Sequence, residues 1–264
     1  MGRIGDKFES LRGKKEIVLI VYLTAGDPSL NITKKLIFGL EKAGVDILEI
    51  GVPFSDPTAD GPVIQEASQR ALKTGTTLQG VLNLVTEVRK VSEIPVVLFG
   101  YFNPIFAYGV KKFANAAREA GVDGVLVVDL PYEEANELRM YTDAVGIDFI
   151  SLIAPTTDGK RLRKIAAEAM GFLYYISITG ITGTAAPKIE NIKTAVNKIR
   201  KITKLPIAVG FGISKPQQVR EIARFADGVV IGSAVVRLID ENKKNPDLVR
   251  IVSNYAGEIK NSLR

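Results

Sequence analysis

"KAGVDILEI" (residues 42–50) packs a structural unit into nine residues. A helix runs out at a small residue and Gly44, the chain turns, and a short apolar run of β-formers follows. Glycine suits the left-handed position just past a helix C-terminus. The same phrase returns as "EAGVDGVLVV" (119–128), "AVGIDFISL" (144–152), "AMGFLYYIS" (169–177) and "FADGVVIGS" (225–233). The apolar runs are nearly continuous, as parallel strands covered on both faces require. Two further strands open with proline, "IPVVLFGY" (94–101) and "LPIAVGFG" (205–212), and "EIVLIVYLTAG" (16–26) supplies another. Proline is tolerated at a strand's first position.

Amphipathic segments separate these runs, at 31–43, 63–73, 78–90, 109–120, 132–144, 159–169, 187–202, 215–225 and 234–242, with a last helix over 246–262 and a short one over 4–12 ahead of the first strand. Eight strands alternating with helices along 264 residues predict a (β/α)₈ TIM barrel, one domain spanning 1–264 with an extra N-terminal helix. The rival is an open doubly wound sheet, but no GxGxxG follows the first strand. No Ser/Gly-rich linker marks a second domain.

Composition narrows the chemistry. The chain has no cysteine and no histidine. Thiolate nucleophiles, disulfides, Ser-His-Asp triads and histidine-built metal centres are therefore excluded, and any acid–base work falls to carboxylates, tyrosines, lysines or backbone groups. A metal site is not expected. The net charge of +6 is mild and its cations are spread over helix faces, so the expectation is no nucleic-acid partner. The longest apolar run, 17–23, is far too short for a bilayer, and the N-terminus has no apolar signal region. A cytoplasmic protein with no membrane role is expected.

In a (β/α)₈ barrel the active site lies at the C-terminal ends of the strands. Glu49 ends the second strand and alternates onto one face with Ile47, opposite Leu48 and Ile50. Turned inward, its carboxylate would be desolvated and its pKa raised toward proton transfer; held by a neighbour, it would only brace the barrel. Asp60, in "DPTADGP" (56–62), reads either as an N-cap for a helix starting near Pro62 or as a second functional acid. Asp56 before Pro57 reads as turn chemistry. "VGFGIS" (209–214) and "IGSAVV" (231–236) follow strands seven and eight, where these barrels bind phosphate through glycine amides and a helix N-terminus. "TGITGT" (179–184) has the composition of a lid, and "YFNPIFAYG" (101–109) concentrates aromatics at the same end. The residues alone thus describe a phosphate-binding barrel with carboxylate chemistry and an apolar-aromatic pocket.

"LEIGVPFSDPTADGPVIQEAS" (48–68) resembles the signature of the tryptophan synthase alpha subunit family, and "LTAGDP" (23–28), "YFNPIF" (101–106), "DLPYEE" (129–134), "GITGT" (180–184), "GFGIS" (210–214) and "IGSAVV" (231–236) agree in order. The resemblance implies a lyase cleaving indole-3-glycerol phosphate to indole and glyceraldehyde 3-phosphate. It makes Glu49 the proton-transferring acid and Asp60 the anion facing the indole N–H. It sets Tyr22, Ile64 and Phe211 in the indole pocket, Tyr174 beside the glutamate, and Gly183, Gly212, Gly232 and Ser233 around the phosphate. Thr182 becomes the lid residue that meets the aspartate. It also implies a beta subunit carrying pyridoxal phosphate in an α₂β₂-type complex, touched by Asp56, Pro57, Asn103 and Pro104, and no cofactor in this chain. Ile178 stands where well-known bacterial members carry arginine before the lid motif. The alternatives are a non-catalytic barrel that activates a partner, or another phosphate-binding barrel enzyme; the presence of both acids speaks against the first.

Overall fold

The computed structural model describes residues 2–176, 189–210 and 212–263. In chain order its elements begin α1 (Arg3–Gly13), β1 (Val18–Thr24), α2 (Leu30–Lys42), β2 (Ile47–Gly51), α3 (Pro62–Lys73), α4 (Leu78–Arg89), β3 (Val96–Gly100), α5 (Phe102–Tyr108) and α6 (Val110–Ala120). They continue with β4 (Gly124–Val127), α7 (Asn136–Thr142), β5 (Asp148–Phe149), β6 (Ser151–Ile153), α8 (Gly159–Glu168) and β7 (Leu173–Ile176). The last third holds α9 (Ile189–Arg200), β8 (Ile207–Gly210), α10 (Pro216–Ala223), β9 (Gly228–Ile231), α11 (Ser233–Asn242) and α12 (Leu248–Asn261).

All ladders are parallel and the strand order is β5-β4-β3-β2-β1-β9-β8-β7-β6. The two outer members, β5 and β6, are separated only by Ile150. Residues 148–153 therefore form one stave that pairs with β4 through its first half and with β7 through its second, closing the ring. The sequence predicts a single strand here. The interruption arises because the stave changes partner at Ile150, whose N–H still bonds the Val125 carbonyl at 2.9 Å.

Alternation sorts the strand side chains into two cores. Ile20, Tyr22, Ile47, Val97, Phe99, Leu126, Ile150, Tyr174, Ala208 and Val230 fill the barrel. Leu19, Val21, Leu48, Ile50, Leu98, Val125, Val209 and Val229 face outward against the helices. This is the layered filling of a (β/α)₈ barrel, and it sets Glu49 on the Ile47 side. The N-terminal helix α1 sends Ile4, Phe8 and Leu11 into the interior cluster, with the Phe8 ring 5.5 Å from Phe172. It seals the end of the barrel opposite the strand C-termini.

In three copies of the repeated phrase the aspartate has the same task at that sealed end. Asp46 accepts a hydrogen bond from Leu19 N at 2.8 Å, Asp123 from Val96 N at 2.8 Å and Asp227 from Ile207 N at 2.8 Å. Each carboxylate thus ties the start of one strand to its neighbour. Each is also matched by a cation: Lys260 for Asp46 (2.6 Å), Arg89 and Arg3 for Asp123 (2.5 and 3.0 Å), Arg200 for Asp227 (2.6 Å).

Two helices differ from the sequence expectation. "YFNPIFAYG" holds the seven-residue helix α5, hidden by its shortness and by Pro104. The segment expected at 132–144 becomes helical only from Asn136 and ends in a 3₁₀ turn over Asp143–Val145, because residues 131–135 are spent on tight turns.

Candidate active site

β1 and β2 pair with Tyr22 beside Glu49, and β3 brings Val97 to the other side of Glu49. The glutamate is 1% exposed, and neither Oε atom has a hydrogen-bond partner among the described residues. Burying a carboxylate without a partner penalises its charged form. Burial accordingly pushes Glu49 up to about 8.

Asp60 comes from the loop after β2. The helix that follows starts at Pro62 with Gly61 as its N-cap, and no side chain caps it. The N-cap reading of Asp60 is thus set aside. Its Oδ2 instead accepts a hydrogen bond from the Tyr101 hydroxyl at 3.0 Å, and that hydroxyl accepts from Ala59 N at 3.0 Å. Gln65 of α3 reaches back to the carbonyls of Asp60 (2.9 Å) and Pro57 (3.3 Å), pinning the loop. Burial raises Asp60 to about 6, and the Tyr101 hydrogen bond opposes the rise. Tyr101 is absent from the sequence-derived site. It carries a legible signal, since Val97, Phe99 and Tyr101 share the inward alternation of the third strand.

The two acids, Tyr22, Ile64, Tyr174, Gly212, Gly232 and Ser233 all line one hollow of roughly 220 Å³, with Phe99, Ser214 and Arg237. Tyr22 packs edge-on to Phe99 at 5.2 Å, and its hydroxyl lies 3.3 Å from Thr24 Oγ1. Two glycines make room for the ring hydroxyls. A Cβ at Gly51 would come within 2.1 Å of the Tyr22 oxygen, and one at Gly210 within 2.3 Å of the Tyr174 oxygen. Gly210 therefore serves close packing at a strand end rather than a turn. Gly212, at φ +75°, does need glycine's left-handed backbone. Gly232 is the N-cap of α11, so the first amides of that helix open toward the hollow.

Thr182, Gly183 and Phe211, together with Ile178, lie outside the described residues. Asp56 is exposed and Pro57 buried in the loop after β2, while Asn103 is exposed and Pro104 half-buried on α5. The Phe54 and Tyr101 rings, 5.3 Å apart, join these two segments at the same rim as the hollow. Phe106 of α5 is 64% exposed beside them.

A larger hollow of roughly 520 Å³ lies between the ends of β4, β6 and β7. Its charges are already engaged: Arg139 with Glu168 and Asp143, Arg161 with Glu133, and Asp129 with Phe102 N. It offers no desolvated acid of the kind Glu49 presents. Among the described residues there is no cluster of three acids fit to hold a metal, and the described lining of the smaller hollow includes no lysine that could carry pyridoxal phosphate.

Closed parallel barrel, two desolvated acids of different strength at the strand ends, and a glycine-lined helix start across from them define a barrel enzyme of the acid–base class. The family model described as tryptophan synthase alpha chain matches residues 8–264. A tryptophan synthase alpha chain from Citrifermentans bemidjiense is 49% identical over 260 residues, covering 98% of this chain and 97% of its own. One from Geotalea daltonii is 52% identical over 241 residues, 91% of each chain. Among solved structures, tryptophan synthase subunit alpha from Legionella pneumophila superposes with a TM-score of 0.93 at 39% identity, covering 100% of this chain and 98% of that one. The chain belongs to the tryptophan synthase alpha chain family, whose members are carbon–carbon lyases acting on indole-3-glycerol phosphate.

Proposed function

We propose that the hollow performs the retro-aldol cleavage of indole-3-glycerol phosphate, with Glu49 as the proton-transferring residue and Asp60 as the fixed anion. What carries this reading is the separation of the two acids: Glu49 at about 8 and Asp60 at about 6. Near pH 7 the first holds its proton and the second has lost it. Opposed environments of this kind divide acid from base in one site.

Indole is a poor carbanion, so the bond to the glycerol carbon breaks only after ring carbon C3 is protonated. Glu49 gives that proton. The resulting indoleninium carries positive charge shared with the ring nitrogen, and the Asp60 carboxylate faces it, accepting the N–H. Glu49, now anionic, takes the proton of the hydroxyl on the carbon attached to the ring. The oxygen pair becomes the aldehyde C=O, the carbon–carbon bond pair returns to the ring, and neutral indole leaves with glyceraldehyde 3-phosphate. The protons balance and Glu49 ends as it began.

Tyr22, Ile64 and Phe211 serve as the indole pocket, and Tyr174 packs beside Glu49. Gly183, Gly212, Gly232 and Ser233 serve as the phosphate cradle, since a helix N-terminus and free amides favour an anion. Thr182 acts as the lid contact to Asp60. The partner is a beta subunit holding pyridoxal phosphate, docked at the rim through Asp56, Pro57, Asn103 and Pro104, where exposed Phe106 adds apolar area. The reading includes a cytoplasmic setting; among the described residues no helix is long and apolar enough to cross a membrane.

The test is Glu49→Gln assayed for indole release with the beta subunit present. Indole formation should vanish while glycerol 3-phosphate still binds. Turnover near that of the unaltered chain would refute the acid–base role.

A further inference from the structure

Of the two acids in the hollow, Asp60 is the one ionised near pH 7 on the reading above, and a phosphate monoester brings a further charge of about −1.5 to −2 near neutral pH. Amides and a helix start answer this only with partial charges, roughly half an elementary charge for the helix. Among the described lining residues, Arg237 is the single basic side chain.

Arg237 lies on α11 four residues after Ser233, so the two share one face of the helix. Helical side chains lean toward the N-terminus, which carries the guanidinium back over the Gly232–Ser233 end. It is exposed, and no carboxylate lies within ion-pairing distance of it among the described residues. Asp240, one turn further along α11, is engaged by Arg70 at 3.0 Å and Lys243 at 2.6 Å. Arg70 in turn is gripped by the buried Asp27. Asp240 is therefore occupied elsewhere.

We infer that Arg237 is a binding residue of the phosphate end of the hollow, its guanidinium fork supplying the formal positive charge that offsets Asp60 and holds the ester dianion. This rests on the reading of the hollow as a phosphate-ester site. Arginine suits the task because its planar fork meets two phosphate oxygens at once.

The experiment compares Arg237→Ala, Arg237→Lys, Arg237→Glu and Ser233→Asp in the full chain with its beta subunit. It reads KM and kcat for indole-3-glycerol phosphate, and inhibition by inorganic phosphate and by glycerol 3-phosphate, at low and high salt. Arg237→Ala should raise KM about tenfold, with far less change in kcat, as expected for loss of one charge-assisted contact. Inhibition by both anions should weaken in parallel, and much of the salt dependence of KM should disappear. Arg237→Lys should recover most of the loss, and Arg237→Glu should exceed the alanine variant. Unchanged KM and unchanged anion inhibition in Arg237→Ala would overturn the proposal. If Ser233→Asp loses affinity in that case, the phosphate cradle stands and only the role of Arg237 falls. If Ser233→Asp is also silent, the cradle falls with it.

Discussion

Acids occur at both ends of this barrel, and three at the strand starts are held quite differently from the two at the strand ends; Asp148, at the start of β5, stands apart, because burial raises it to about 6. At the strand starts, Asp46, Asp123 and Asp227 each take a backbone N–H and a cation. At the strand ends, Glu49 has no partner among the described residues, and Asp60 has a neutral one, Tyr101. Acids paired in this way fasten neighbouring strands; an unpaired buried acid stores its burial cost as a raised pKa. The same fold thus holds one residue class in pairs below and desolvated above.

The comparison can be tested first where the largest effect lies. Glu49→Gln should abolish indole formation and also stabilise the fold. The unfolded chain releases this proton near the ordinary glutamate value, whereas the folded chain holds it to about 8. Between those values the native state binds the extra proton, so stability falls as pH rises through the window. At pH 7 the variant should therefore gain about 3 kcal/mol in denaturant titrations, and the gain should shrink toward zero near pH 4. A gain independent of pH would show that Glu49 is not buried unpaired.

Removing a cation below should do the reverse. Lys260 and Asp46 are 4% and 6% exposed. Lys260→Met leaves a buried carboxylate without its counter-ion and should cost about 3–5 kcal/mol in chemical unfolding. Turnover per folded molecule should persist, because the pair lies at the sealed end.

The pH profile separates the two upper acids. The kcat/KM profile should be bell-shaped, with an ascending limb near 6 as Asp60 ionises and a descending limb near 8 as Glu49 loses its proton. A smaller effect follows from Tyr101→Phe. Loss of the hydrogen bond that opposes the burial of Asp60 should raise its pKa, moving the ascending limb to higher pH while leaving the descending limb in place. A shift of both limbs would mean that Tyr101 braces the whole pocket.

Much of this was legible from the chain alone because the repeated phrase couples a glycine and an apolar strand in adjacent residues, with an aspartate near the glycine in four of the five copies. Strand alternation put Glu49 on one face with Ile47 and left open which face looks inward; the structure turns that face into the barrel. Other features depended on what lies far off in sequence. The division of residues 148–153 into β5 and β6 reflects a change of neighbour at Ile150, which nothing local encodes. Asp60 followed by Gly61 and Pro62 offers two residues for one N-cap, and only the path of the loop toward Tyr101 decides between them. The ladder task of Asp46, Asp123 and Asp227 was hidden because the bonded N–H belongs to another strand. Tyr101, read as the last residue of the strand 94–101, was not singled out because its partner, Asp60, lies forty-one residues away in another loop.

The packing of Phe8 against Phe172 makes the barrel a vessel with one opening. A molecule set free inside meets this plug behind it, so its way out is the upper rim, part of which the loop after β2 and α5 form. A protein seated on that rim would therefore control the fate of every molecule set free within. Delivery to a neighbour and loss to the surrounding water become a question of how well one circular seam is sealed.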